Sequence, residues 1–255
     1  MAARKIIEIS GPDRVKFLQG LVTGDARRLE QGDVVYAALL TPQGKFIVDF
    51  FLVPMGDLVL LDVQESEADA LLQRLTMYKL RSKVDLALSD RTVSRGIGET
   101  PEGAFRDPRH EAMGWRAYDG RTGEDVDWDA LRVAHCIPET GIELTPDTYI
   151  LEAGFERLGG VDFKKGCYVG QEVTARMHHK TDLRKGLVSV EVEGSAPVGT
   201  EIVTADGKTA GTLFTQSGGR AIAYLRFDRA SGPLVAGDAT VHAPTNDPRH
   251  KKGRG

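Results

Sequence analysis

The run VVYAALLTPQGKFIVDFFLV, residues 34–53, is the stretch on which the fold turns. Two arms rich in β-branched and aromatic residues flank TPQG at 41–44, where proline second and glycine fourth fit a type I turn. The pattern predicts a hairpin. On its second arm Phe46, Val48, Phe50 and Leu52 alternate with Ile47, Asp49 and Phe51, so the carboxylate of Asp49 shares a face with bulky apolar side chains. Two readings of Asp49 follow. It faces solvent from an exposed sheet face, or it lies in a cleft with a partner, as a base or as an orienter of a substrate N–H. A buried, unpaired carboxylate would be costly or would stay protonated.

Outward from the hairpin, KIIEIS at 5–10 reads as a strand. GPDRVKFLQGLV then opens a helix with Ser10 or Gly11 as cap, Pro12 in the first turn, and Val15, Leu18 and Val22 on one face. LVLLDV is a further strand. Residues 66–80 form a helix with Ala68, Leu71, Leu72, Leu75 and Tyr78 inward, and a second helix over about 127–137 stops before Pro138. Past residue 182 the texture changes to short strands with glycine-rich turns: GLVSVEV, EIVTADGKTAGTLFT, AIAYLRF and ATVHA. The fold class is therefore α+β, with antiparallel sheets and helices in a body at 1–181 made of two interwoven subdomains, then a β-barrel at 182–245. The basic stretch at 246–255 reads as a disordered tail.

Composition narrows the function. A chain of 255 residues with 41% apolar and 27% charged residues is an ordinary globular protein, and a formal charge of −4 argues against direct nucleic-acid binding. No run approaches the roughly 20 apolar residues of a membrane helix. The start, MAARKIIEIS, passes from basic residues straight into a strand pattern, without the apolar region of a signal peptide. With only Cys136 and Cys167 there is no disulfide framework, which makes a reducing cytoplasm the expectation. Two cysteines also fall short of the four thiolates of an iron–sulfur site. Phosphate-binding loops are absent: DGKT at 206–209 lacks its upstream glycine, and GIGETP at 96–101 has a proline at the third glycine and no clear strand before it.

DFKKGCYVGQEVTAR, residues 162–176, holds the reactive chemistry. Lys164 and Lys165 bring positive charge towards Cys167, which favours a thiolate, and Gly166 and Gly170 allow close approach to the backbone. The bland reading of an isolated cysteine is a buried small hydrophobe. Cys136 has that setting, late in an amphipathic helix beside Ala134 and Ile137. Glu152 and Glu172 are further acids near apolar positions. His178 and His179 are adjacent and diverge, so no zinc spacing emerges.

KGCYVGQE, residues 165–172, resembles the signature of the YgfZ family, folate-binding relatives of the glycine-cleavage aminomethyltransferase (GcvT, or T-protein) that act in iron–sulfur protein maturation. GPDRVKFLQGLVTGD, the hairpin and the all-β end resemble the family's N-terminal helix, central hairpin and C-terminal six-stranded barrel, so the likeness covers nearly the whole chain. The resemblance implies tetrahydrofolate, or a derivative, as the bound cofactor. It puts Asp49 at the transferases' catalytic aspartate, Tyr36 at a tyrosine near the folate, and Glu152 of LEAG at the pterin. Arg184 matches an arginine near the folate tail. Lys165, Gln171 and Glu172 of the signature are counted with the cofactor-binding residues, and Cys167 with Asp49 as the candidates for chemistry. One departure is TGD at 23–25, where relatives often read TND.

The implied function is accessory: a monomeric, cytoplasmic, folate-binding protein whose partners are iron–sulfur client or assembly proteins, including enzymes that modify tRNA. The alternative is a tetrahydrofolate-dependent aminomethyltransferase or demethylase. Asp49, Tyr36 and Glu152 speak for that alternative, and the cysteine loop for the accessory role. A third reading is an interaction module that has lost its folate.

Overall fold

The computed structural model describes residues 2–180 and 182–243, so the tail read at 246–255 and the last two residues of the expected barrel segment lie outside it. The chain divides into two compact units. One comprises residues up to Val126 and Phe155–Val173; the other comprises Asp127–Gly154 and the chain from Thr174 onward.

The first unit is built on strands β1 (Arg4–Ser10), β2 (Val35–Leu40), β3 (Phe46–Met55), β4 (Leu58–Gln64) and β5 (Asp85–Ser89), with helices α1 (Arg14–Gln19) and α2 (Ala68–Lys79). The five strands form an antiparallel sheet in the order β2-β3-β4-β1-β5. The expected hairpin, β2–β3, forms one edge of it, with Tyr36 opposite Phe51 and Ala38 opposite Asp49. The Gly44 N–H donates to the Thr41 carbonyl at 2.8 Å, and Gly44 takes φ +76°, which a side chain would resist. One face of the sheet carries Ile7, Val35, Leu39, Val48, Phe50, Leu52 and Leu61, packed with Leu18 of α1 and Leu71 and Leu75 of α2. Burial of that face is the main stabilising term, at about 1.5–3 kcal/mol per large side chain.

Three corrections belong to this unit. Helix α1 starts later and is shorter than its pattern suggests. Ser10 ends β1, Gly11 turns with φ +98°, and Asp13 becomes the N-cap position. The Asp13 carboxylate accepts from the Lys83 N–H at 2.8 Å instead of capping the helix. Val22 is buried but lies beyond the helix. The third correction concerns GIGETP, which does follow a strand: β6 (Ser94–Gly96) joins β7 (Phe105–Arg106) and β8 (Trp115–Ala117) in a small sheet ordered β6-β8-β7. Strands of two or three residues between glycines and prolines carry too little alternation to be read.

In the second unit, α3 (Trp128–His135) has an Asp127 cap that accepts from the Ala130 N–H at 2.9 Å. Helix α4 (Gln171–Lys180) carries the chain from the first unit into the second. Six strands then close a barrel: β9 (Lys185–Glu193), β10 (Thr200–Thr204), β11 (Thr209–Ser217), β12 (Arg220–Arg226), β13 (Leu234–Ala236) and β14 (Ala239–His242), in the order β10-β11-β12-β9-β14-β13. Alternate residues Val188, Val190 and Val192 of β9 fill its interior with Ile202, Leu213, Leu225 and Val241. The α+β body and six-stranded barrel stand as expected. Cys136 does not stand as a core residue. It is half-buried, and it ends α3 in the left-handed region at φ +50°, its N–H returning to the Arg132 and Val133 carbonyls.

Candidate functional site

The candidate residues fall into three groups, two in the first unit and one in the second. Asp49 is 6% exposed, so it does not face solvent from an exposed sheet face. Tyr36 lies diagonal to it across the β2–β3 ladder on the same face, and donates its phenol to Asp49 Oδ2 at 2.8 Å. The Tyr36 ring stacks on Phe155 at 5.2 Å, and the Arg109 guanidinium sits 5.6 Å from its centroid. Burial, then the Asp49 charge, pushes the Tyr36 phenol well above its ordinary value. Tyr36 therefore stays a neutral donor to a carboxylate.

Beneath this pair lies an ionic layer that sequence reasoning missed. Asp62 of β4 accepts from Arg4 at 2.6 Å, from Arg116 at 2.7 Å and from Tyr118 at 2.9 Å, while Arg109 chelates Asp107 at 2.8 and 3.0 Å. Arg116 and Arg109 rest on the Phe51 ring at 3.9 and 4.8 Å. Burial works to raise the Asp62 pKa, but Arg116 and Arg4 outweigh it and the net shift is downward. Burial and the nearby charges of Arg116 and Arg4 bring Arg95 down to about 10. The one available signal was an arginine, Arg116, between Trp115 and Tyr118, in a segment with no strand pattern.

The second group surrounds Cys167, which is exposed. It lines a cleft of about 510 Å3 with Arg14, Lys16, Arg27, Lys165 and Glu30. Lys165 is nearly buried, and its ammonium donates to the main-chain carbonyls of Gln19, at 2.8 Å, and Val22. In return the Gln19 amide donates to the Lys165 carbonyl at 3.1 Å, while its oxygen accepts from the Ala26 N–H. Lys165 thus ties the cysteine loop to the end of α1. Desolvation by burial lowers its pKa to about 8, against the opposing pull of Asp25 and Asp162. Gln171 and Glu172 open helix α4 rather than lying in the loop. The TGD departure also has a physical setting: a Cβ on Gly24 would come within 2.7 Å of Val35 and 2.9 Å of the Tyr36 carbonyl. An asparagine there would need its neighbours to move.

The third group is in the second unit. Glu152 is 9% exposed; its Oε2 accepts from the Tyr224 phenol at 2.5 Å and lies 3.9 Å from the Lys185 ammonium. Burial, then the bond to Glu152, pushes the Tyr224 phenol upward. Arg184 is exposed, with its carbonyl taken by the Phe227 N–H. The cation beside Glu152 is its neighbour Lys185, which sequence reasoning passed over. Among the described residues no group of three or more His, Cys, Asp or Glu is placed to hold a metal ion. Among the described residues no helix is long and apolar enough to cross a membrane.

Comparison with known proteins gives these groups a context. Residues 184–248 match the family model of the CAF17 C-terminal β-barrel domain. The chain is 31% identical to the mitochondrial iron–sulfur cluster assembly factor IBA57 of Mus musculus over 91% of its own length and 78% of the relative's. It is 30% identical to the Homo sapiens counterpart with the same coverage. In fold it resembles the crystal structure of glycine cleavage system aminomethyltransferase T from Bartonella henselae, with a TM-score of 0.74, 17% identity, and coverage of 94% of this chain and 83% of that one. The expected cytoplasmic location does not survive these relatives, both named as mitochondrial. Its basis was cysteine count, which speaks to redox conditions and cannot single out the cytoplasm among reducing compartments.

Proposed function

The chain belongs to the IBA57 family of iron–sulfur cluster assembly factors, and on that premise we propose a folate-binding assembly factor that serves iron–sulfur proteins through Cys167. The observation that carries the reading is the exposed thiol of Cys167 in a cleft lined by four basic side chains and one acid. A single accessible thiolate is one ligand, and a cluster needs about four. The cluster is therefore cargo held mainly by a client protein, with Cys167 as a transient ligand. Enzymes that modify tRNA are among the clients we assign to it.

Tetrahydrofolate fits the donor set. Glu152 is a buried carboxylate whose polar partners among the described residues, Tyr224 and Lys185, both meet Oε2. That leaves Oε1 to accept a pterin N–H. Tyr36 and Asp49 form a second polar pair among aromatic rings, the setting in which a flat heterocycle is recognised. Bound folate would supply one-carbon or redox chemistry, and the polar pair that meets it would orient its ring. The likeness to an aminomethyltransferase is a likeness of fold, and aminomethyl transfer is not part of the proposal.

Two measurements test it. In a strain lacking the gene, Cys167→Ala should fail to restore the activity of iron–sulfur enzymes where wild type succeeds; full restoration would remove the thiol from the mechanism. In calorimetry, Glu152→Gln should weaken tetrahydrofolate binding roughly tenfold or more, since a hydrogen bond to a charged group contributes about 1.5–3 kcal/mol. Unchanged affinity would remove Glu152 from the folate site.

A further inference from the structure

Helix α1 stands between two clefts of the first unit. One is the basic cleft of Cys167. The other, of about 820 Å3, is walled by Phe17, Leu21, Tyr78, Leu80 and Arg81. Lys16 and Gly20 line both, so the clefts meet across the helix.

On the apolar side Leu80 is 88% exposed, and Met77, outside the cleft lining but in the last turn of α2, is 61% exposed. Leu80 follows α2 at φ +43° and ψ −109°, backbone angles that suit glycine and strain a branched side chain. At that exposure the side chain packs against almost nothing in its own unit. It therefore combines a strained backbone with an apolar surface in water, and contributes little to the fold. On the basic side, the charge of Arg27 is shared with Asp25 at 2.8 Å, and the Lys165 ammonium is turned to main-chain carbonyls. Arg14, which gives one N–H to the Gly11 carbonyl, and Lys16 are the cations most available to a ligand, on a chain whose net charge is −4.

We propose that this surface docks an acidic, amphipathic segment of a partner protein, with carboxylates against Arg14 and Lys16 and an apolar side chain against Leu80 and Met77. The docked segment passes beside Cys167. The inference rests on the assembly role proposed above and names the chemistry of the partner. A small anion leaves Leu80 unexplained. An anionic bilayer is flat, while these are clefts that carry the acids Asp13 and Glu30 and belong to a net negative chain. Pairing with a second copy across a two-fold axis would bring the same cations together.

The test uses the full chain and a labelled helical peptide with glutamates on one face and leucines on the other. Controls are a scrambled peptide of the same composition and an all-glutamate peptide. Anisotropy should show Lys16→Glu weakening binding about tenfold at low salt and less at high salt. Leu80→Gly should weaken it about tenfold, the worth of burying a leucine, while raising the melting temperature by relieving strain. Iodoacetamide labelling of Cys167 should slow when the amphipathic peptide is present. Equal binding of the all-glutamate or scrambled peptide would overturn the proposal. So would unchanged affinity in both variants, binding to phosphatidylglycerol vesicles but not to the peptide, or a wild-type dimer that Leu80→Gly splits. The two readings fail separately. Cys167→Ala that fully restores iron–sulfur enzymes sinks the assembly role, whereas variants that lose peptide binding yet support those enzymes normally sink only the docking surface.

Discussion

Both units bury arginine, and the two networks are used differently. In the second unit Arg132 is wholly buried, and its guanidinium meets the Ile137 carbonyl at 3.1 Å, Asp129 at 2.9 Å, Glu139 at 3.1 Å and Glu143 at 2.5 Å. Glu143 in turn accepts from the Thr215 hydroxyl of β11 at 2.5 Å and from the Glu139 N–H at 2.9 Å. Every strong group in that knot has its counterpart, and the knot fastens α3 and the loop after it to the barrel. In the first unit Arg4, Arg95, Arg109 and Arg116 gather round Asp62 and Asp107, beside the Tyr36–Asp49 pair. Four arginines stand there against three buried acids, a surplus of positive charge, and desolvation, then the charges of Arg116 and Arg4, lowers the Arg95 pKa. The network of the first unit is spread along a sheet face and shares its acids among several cations; that of the second gathers its acids on one cation.

The largest expected effect breaks the Arg132 network. Arg132→Met leaves Glu143 buried with its main cation gone, and removing one partner of such a pair costs about 3–5 kcal/mol. Arg109→Met should cost less, about 1–3 kcal/mol, because Asp107 keeps Arg116 at 3.5 Å. Urea unfolding of the two variants checks the order. If Arg109→Met proves the more damaging, the surplus-charge reading of the first unit is wrong.

Neither network was legible in the sequence, and the reason is physical. An arginine carries the same letter whether it is solvated or stacked on Phe51, and burial of a charge depends on partners far along the chain, 54 positions away for Arg116 and Asp62. What could be read was local. TPQG fixed the hairpin through proline and glycine geometry, and alternation put Asp49 on the face of Ile47 and Phe51. The barrel strands announced themselves through glycine-rich turns, except β13, whose three residues are too few for a pattern. The cysteine loop was found by its composition, but the role of Lys165 was not. Its partners, Gln19 and Val22, lie more than 140 positions away.

A smaller effect separates the two cysteines. The sequence made Cys136 a packing residue, so that truncation to alanine would cost stability. Its left-handed backbone points the other way: Cys136→Gly should stabilise the protein by up to about 1 kcal/mol, because glycine enters that region without a Cβ clash. Cys167→Ala should leave stability unchanged, since the thiol is exposed. A melting temperature that falls for Cys136→Gly would restore the packing role.

The last effect concerns another buried cation, Lys165, and appears only as a dependence on pH. Unlike an arginine, a buried lysine can shed its proton. Its pKa falls from the ordinary 10.5 to about 8 in the folded chain, chiefly through desolvation by burial. Below about pH 8 both folded and unfolded chains carry the proton, and stability does not respond to this group. Between about 8 and 10.5 the unfolded chain binds more protons than the folded one, so stability rises with pH. The neutral amine still donates to the Gln19 and Val22 carbonyls, so the anchor survives deprotonation while the cost of burying a charge disappears. Lys165→Met lacks that gain. Wild type should therefore pull ahead of Lys165→Met as the pH is raised from about 7.5 to about 10, in denaturant midpoints compared pairwise so that other titrating groups cancel. A gap that stays constant across that range would mean that the ammonium is solvated and that the Cys167 loop is held to α1 by something other than this side chain.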